Sequence, residues 1–323
     1  MVQEPRRRVD QVPPHLYFVV SAVFHYLGPA FAVLLFARID VLGVAWLRIA
    51  SAALIFALWR RPWRAFKRLE RPGRRLLIQW GAVLAVMNAC FYLAIDRLPL
   101  GTVAAIEFLP VILLAAFGAR TRRNAAALAL AVPGVYLLTD VQLSGQPIGV
   151  AFAAANAVLF ALYIVLAHRV AQHDDIAGID GLAASMLVAA VVVTPLGGWE
   201  VLPAISDPVA IVAGIGVGVS SSVIPYVTDQ LAMRRLARAT YALMVSLLPA
   251  TATVIGIVVL AQIPTAAEIA GVALVVAGVA LHREAPAPPT APDAATMGST
   301  DQGATFDQSH IRHRRRLHHG AHA

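Results

Sequence analysis

The sequence predicts an all-α polytopic membrane protein with about ten transmembrane helices in two inverted five-helix repeats. Three observations carry that prediction. Hydrophobic residues make up 59% of the 323-residue chain and charged residues only 14%, whereas a soluble domain carries about 25% charged residues. The mean hydropathy is +0.71, and the apolar residues fall in runs near the length of about 20 that a helix needs to cross a bilayer. Finally, Lys and Arg concentrate in alternate connections between those runs.

Taken in order, His15 to Ala37 is too long for the apolar part of a signal peptide and lacks a small-x-small cleavage site, so it reads as an uncleaved first span. The next four are placed at Val41 to Trp59, Leu76 to Ile95, Thr102 to Gly118 and Ala125 to Thr139. A second set follows at Ile148 to Ala167, Ile179 to Gly197, Pro208 to Leu231, Thr240 to Ala261 and Ala266 to Leu281. The domains expected are a cytoplasmic N-terminus at 1–14, repeats at 15–140 and 148–283, and a disordered cytoplasmic tail at 284–323. That tail is rich in Ala, Pro, Gly and Thr, cannot bury a core, and ends in a His- and Arg-rich stretch that reads as solvated.

Orientation follows from the cations. Arg6 to Arg8, the eight Lys and Arg from Arg60 to Arg75, Arg120 to Arg123, Arg169, Arg234 to Arg238 and Arg283 to Arg316 fall on one side. Only Arg38 and Arg97 fall on the other, and Arg48 lies inside a span. Both termini are therefore expected in the cytoplasm. The repeat shows at an offset of 138: GVAWLR at 43–48 lies opposite GLAASM at 181–186, LAIDRL at 93–98 opposite LAMRRL at 231–236, and Thr102 opposite Thr240. Five spans per half make the second half enter the membrane in the opposite sense, which puts a substrate site between the halves near the midplane.

An ionisable residue inside a span is costly, by about 2.5–3.5 kcal/mol on insertion scales, and reads first as functional. Glu107 is such a residue, one turn before the helix-weakening Pro110. At a rise of about 1.5 Å per residue, Arg48, Asn88 and Glu107 all lie about 10 Å below the outer ends of their helices, and His25, beside Tyr26, near the midplane. Tyr92 and, in the second half, Tyr226 complete the candidate set. A cation, an anion and an amide at one level suit a zwitterion: Glu107 takes an ammonium, Arg48 a carboxylate, and Asn88 bonds to either end. The architectural alternative is a direct Arg48–Glu107 ion pair locking the second span to the fourth. The second half offers Asn156, Tyr163, Ser220 to Ser222 and Asp229, with Gly214, Gly216 and Gly218 read as close helix packing.

Other chemistries find little support. The single Cys90 excludes a disulfide framework and a cysteine zinc site, and His173-Asp174-Asp175 reads as a solvated turn, so no metal and no cofactor are expected. No phosphate-binding G-x-x-x-x-G-K-[ST] loop is present. The net charge of +8 is topological and does not form a nucleic-acid face.

The segments VAWLRIASAALIF, MNACFYLAIDRLPLGTVAAIEFLPVILL and TYALMVSLLPATATVIGIVVLAQIPTAAEIAGVALVVAG resemble the two EamA-type repeats of the drug/metabolite transporter superfamily. LPLGTVAAIEFLP in particular resembles its threonine and homoserine exporter group. The resemblance covers His15 to Arg283. It implies ten helices in two inverted repeats, efflux of small amino acids driven by a proton gradient, and Arg48 and Glu107 at positions typical of that group. Gln262 departs from the Glu that commonly follows a Gly after the ninth helix.

The function expected is thus an exporter of small amino acids or related metabolites in the bacterial inner membrane, not an enzyme. Its partners would be a small-molecule substrate, protons as coupling ion and the lipid bilayer, with no nucleic acid; a homodimer is compatible with this reading. The alternatives are a drug or other metabolite exporter of the same fold, a lipid-modifying membrane enzyme, for which a cluster of acids or histidines at the boundary is wanting, and a scaffold acting through its tail.

Overall fold

The computed structural model describes residues 13–118, 121–143, 145–171, 178–233, 235, 244 and 247–281. They form α1 (Pro14–Leu35), α2 (Val41–Arg60), the short α3 (Trp63–Arg68), α4 (Arg71–Ile95), α5 (Leu100–Gly118), α6 (Arg122–Leu143), α7 (Pro147–Ala171) and α8 (Gly178–Gly197). A 3-10 turn (Trp199–Ser206) leads into α9 (Pro208–Gly218), a π turn (Val219–Val223) and α10 (Ile224–Met233), which together make one continuous rod. The chain closes with α11 (Leu248–Leu260) and α12 (Ala266–Leu281). Six helices are long and apolar enough to cross a membrane, and three shorter apolar helices accompany them. This is an all-α polytopic membrane protein, and no strand occurs among the described residues. Thr240, Val245, Ser246, His173-Asp174-Asp175, the terminal arginines and the tail lie outside the described residues, as does the side chain of Asp229.

The ends of the helices follow from local chemistry. Arg61, at φ 52° in the left-handed region, closes α2 ahead of Pro62. Asp207 accepts from the amides of Val209 and Ala210 and so caps α9. Those amides, that of Ala210 first, together with Arg38 hold the exposed Asp207 carboxyl below its ordinary range.

Helix pairing obeys a simple rule. α2 packs on α8, α5 on α11 and α6 on α12; α4 packs on α7 and α8, while the α9–α10 rod packs on α1 and α2; α5 packs on α7, and α1 on α11. Exchanging α1, α2, α4, α5 and α6 for α7, α8, the rod, α11 and α12 maps each of these pairs onto another or onto itself, which is the pattern of a two-fold relation.

The apolar interior comes in two large clusters, and the changeover between them decides where the site can be. On α2 the first cluster ends at Leu47 and the second begins at Ile49. On α4 the second cluster ends at Met87 and the first resumes at Phe91. On α7 the changeover falls between Ala157 and Leu159, and on the rod between Val217 and Val223. Arg48, Asn88 and Ser220 to Ser222 stand at these breaks, and Asn156 lies just ahead of the one on α7; all are buried. A belt of polar side chains thus separates two apolar cores. Two glycines let the backbones close around it: a Cβ at Gly28 of α1 would strike Ser220 and Ser221, and one at Gly218 would strike Ser51 and the Arg48 backbone.

Candidate functional site

Arg48 enters the belt from α2. Its Nε donates to Ser222 Oγ at 3.2 Å, its Nη2 donates to the Ser221 carbonyl oxygen at 3.3 Å, and its guanidinium lies 5.5 Å from the centre of the Tyr92 ring. The sequence explains why a carbonyl waits there. Pro225 has no N–H to return to the turn before it, and within the π turn the Ile224 amide reaches back to Val219, so the serine carbonyls lose regular donors. A π turn inside a helix is often found at a functional site. Seated over an aromatic face and away from water, the cation gains about 2 kcal/mol from the ring.

Glu107 enters from α5, between the buried Ile106 and Phe108. Its Oε1 accepts from Asn156 Nδ2 at 3.2 Å. Arg48 is within electrostatic range of it, but the two do not pair: among the described residues the ion pairs are Arg38–Asp207, Arg60–Asp180 and Arg97–Asp96. The direct Arg48–Glu107 lock weighed above does not form, because the π turn engages the guanidinium and Asn156 engages the carboxylate.

Hydrogen-bonding capacity is left over at both charges. A guanidinium has five N–H donors and a carboxylate about four acceptor positions, while Arg48 uses two and Glu107 one. Around them Tyr26 OH and Asn156 Oδ1 are buried without a hydrogen-bond partner, while Tyr92 OH and Ser221 Oγ lie against each other and Arg48 without a hydrogen bond of regular geometry. Among the described residues one further buried side-chain atom shares that condition, Trp80 Nε1, packed against Tyr163 with ring centres 5.5 Å apart. Buried polar groups are as a rule satisfied, so the unpartnered Tyr26 OH and Asn156 Oδ1 and the loosely engaged Tyr92 and Ser221 set the belt apart from the rest of the described interior.

Not every candidate joins this set equally. His25 is half-buried on α1 and stands edge-on to Tyr26, ring centres 5.1 Å apart, within electrostatic range of Arg48. Asn88 lies in the belt, but its Nδ2 is turned back to Leu84 O at 2.9 Å. Tyr226 packs on the second core, near Phe56, Ile179 and Leu182. Sequence reasoning places Asn156 and Ser220 to Ser222 only as polar residues of the second half; their contacts with Glu107 and Arg48 and the π turn itself come from the structure. The available signal was three consecutive serines just ahead of Pro225, and a lone amide in an otherwise apolar span.

Residues 147–283 match the EamA-like transporter family. The chain is also 30% identical over 257 residues to the threonine/homoserine exporter RhtA of Escherichia coli strain K12, covering 77% of this chain and 84% of that protein. The chain belongs to the EamA-like transporter family. A further relative is the threonine/homoserine exporter RhtA of Salmonella typhimurium strain LT2, 29% identical over 277 residues, 82% of this chain and 89% of the relative. One solved crystal structure, 18% identical, shares the fold with a TM-score of 0.54 over 83% of this chain and 96% of its own. As an EamA-like membrane transporter the chain moves a small molecule across a bilayer, and among the described residues Arg48 and Glu107 are buried opposite charges that do not pair with each other.

Proposed function

We propose that this transporter exports small amino acids such as threonine or homoserine across the bacterial inner membrane, in exchange for protons. The observation that carries the reading is the separation of Arg48 from Glu107: both are buried, neither neutralises the other, and each keeps hydrogen-bonding positions for a further partner. A zwitterion fills both needs at once, its carboxylate at Arg48, Tyr92 and Ser221 and its ammonium at Glu107. A proton competes with that ammonium for Glu107, so the two cannot occupy it together; this exclusion is what antiport requires. His25 borders the belt and Asn88 lies within it, both as polar neighbours of the substrate.

The names of the EamA-like relatives support the same direction, since both are exporters of threonine and homoserine. Counterflow of labelled threonine from proteoliposomes, with and without an imposed pH gradient and against a panel of unrelated drugs, tests the reading. Threonine exchange accelerated by the gradient is expected; selective counterflow of drugs would transfer the protein to drug export.

The same proposal includes two inverted repeats at 15–140 and 148–283, with both termini in the cytoplasm. A Cys at Gly145, where a Cβ meets nothing within 4 Å, should react with impermeant thiol reagents from outside, and a Cys at the exposed Arg71 only from the cytoplasm. Reversed labelling would overturn that orientation.

A further inference from the structure

Asn156 is fully buried on α7, in a stretch where its neighbours are alanine, valine and leucine. With Glu107 ionised, as it must be to hold an ammonium, the amide has one favourable orientation. A carboxylate only accepts, so the group facing Glu107 Oε1 at 3.2 Å must be the Nδ2 donor. That bond fixes Oδ1 on the other side of the same planar amide, where it has no partner. Two acceptor groups are therefore close neighbours, joined through one planar amide: the unspent lone pairs of Glu107 and the carbonyl oxygen of Asn156. The Tyr26 hydroxyl, buried and also without a partner, lies within electrostatic range of the same carboxylate.

The Tyr26 O–H is one donor, while the Glu107 carboxylate and Asn156 Oδ1 offer several acceptor positions, so the cluster as a whole suits a group that only donates. An ammonium is such a group, with three N–H donors and no acceptor. A neutral hydroxyl would satisfy one of the acceptors, and an anion would meet repulsion from Glu107. We propose that Asn156 is a substrate ligand whose side-chain oxygen shares the ammonium of the exported molecule with Glu107, and that this pair, more than Glu107 alone, sets the preference for amines. The inference rests on the amino-acid reading above and deepens it by assigning the ammonium end two named acceptors from two halves of the chain. It also gives the Glu107–Asn156 bond a purpose: the amide N–H orients the carboxylate while the amide oxygen remains for the ligand.

The test uses the full chain in proteoliposomes, labelled threonine counterflow, and three competitors: threonine, 1-amino-2-propanol, which keeps the ammonium and lacks the carboxylate, and 3-hydroxybutyrate, which keeps the carboxylate and lacks the ammonium. With Asn156→Leu, threonine and 1-amino-2-propanol should each lose potency by about ten-fold or more, the size expected for a hydrogen bond to a charged group, while 3-hydroxybutyrate keeps its potency. Equal loss for all three competitors would make Asn156 a structural residue, and no loss for any would remove it from the site; either overturns the proposal. If Asn156→Leu does not accumulate as a folded protein, the polar but shorter Asn156→Ser decides. Its single hydroxyl cannot both donate to Glu107 and hold the ligand, so 1-amino-2-propanol should lose potency relative to 3-hydroxybutyrate, and an unchanged ratio overturns the proposal. Failure of the unmodified protein to counterflow threonine would instead bring down the amino-acid reading, and this inference with it.

Discussion

Glu268 at the start of α12 and Glu107 in the middle of α5 are buried to nearly the same degree, 5% and 7% exposed, yet their surroundings differ in kind. The Glu268 carboxylate accepts from the Thr265 amide at 2.7 Å and from its hydroxyl at 3.0 Å, and Thr265 Oγ1 accepts in turn from the Glu268 amide at 3.2 Å. This reciprocal arrangement satisfies the first amides of α12. Other helix ends are closed in the same spirit. Glu200 accepts from the Gly43 amide at 2.8 Å near the start of α2, and Gln262 accepts from the Leu100 amide at 3.1 Å where α5 begins. At the ends, then, polar side chains are used by the backbone; in the belt they are held in place and left partly unused. Burial alone does not separate the two roles, but the count of unspent donors and acceptors does.

The sharpest way to break this contrast is Glu107→Gln, which keeps size and hydrogen bonding while removing titration. Gradient-driven threonine export should fall by at least about a hundred-fold, as when a titrating group essential to proton transfer is lost, with the melting temperature nearly unchanged. Export at the unmodified rate with the same pH dependence would show that Glu107 is as structural as Glu268. Next in size is Arg48→Lys. The ammonium keeps the charge but cannot reach Ser221 and Ser222 together with a carboxylate, because it lacks the planar fork. The apparent affinity for threonine should weaken by about ten-fold or more, and an unchanged affinity would detach Arg48 from recognition.

Glu268→Ala should behave in the opposite manner. Loss of a capping interaction costs about 0.5–2 kcal/mol, read as a lower melting temperature, while transport per folded molecule stays the same; lost transport at unchanged stability would erase the distinction drawn here. The smallest effect belongs to Asp207. Its folded pKa lies below the unfolded value, so its contribution is present above the ordinary aspartate range near 3.9 and disappears as pH falls through the depressed value. Melting curves of the unmodified protein should therefore show an extra acid-side loss below about pH 4 that Asp207→Asn lacks. Identical acid-side slopes would discount the cap.

Much of this was legible before any coordinates. Runs of about 20 apolar residues dictate membrane helices whatever their packing, and Arg48 and Glu107 stand out because charges inside spans are rare and expensive. Their partners were not legible. Hydroxyls in helices commonly bond back to their own carbonyls, as Ser51 does to Leu47 O at 2.6 Å, and nothing in the residue type distinguishes it from Ser222, which meets Arg48. The π turn arises from a one-residue change of hydrogen-bond register that no residue type announces. Asn156 joins Glu107 only through the packing of α5 on α7, which spacing along the chain does not encode. Gln262, where the related repeats commonly carry Glu, still serves the backbone at Leu100, since an amide oxygen accepts as a carboxylate does.

The pairing of Arg48 with the π turn also has a history in time. Its serine partners are synthesised 173 and 174 residues after it, and ribosomes add about 5–20 residues per second, so α2 waits about 9 to 35 s for them. Through that interval the guanidinium has neither Ser221 nor Ser222, and a charge at mid-span is expensive to leave in lipid. The side chain must reach for the headgroups along its own stem, or the helix must linger beside the insertion machinery. Likewise Ser21 of α1 reaches Pro225 O, 204 residues downstream. Insertion and closure are thereby separate events in the birth of this protein: the early helices enter the bilayer as tenants of the translocon's surroundings, and the polar belt is assembled only when the last third of the chain arrives to complete it.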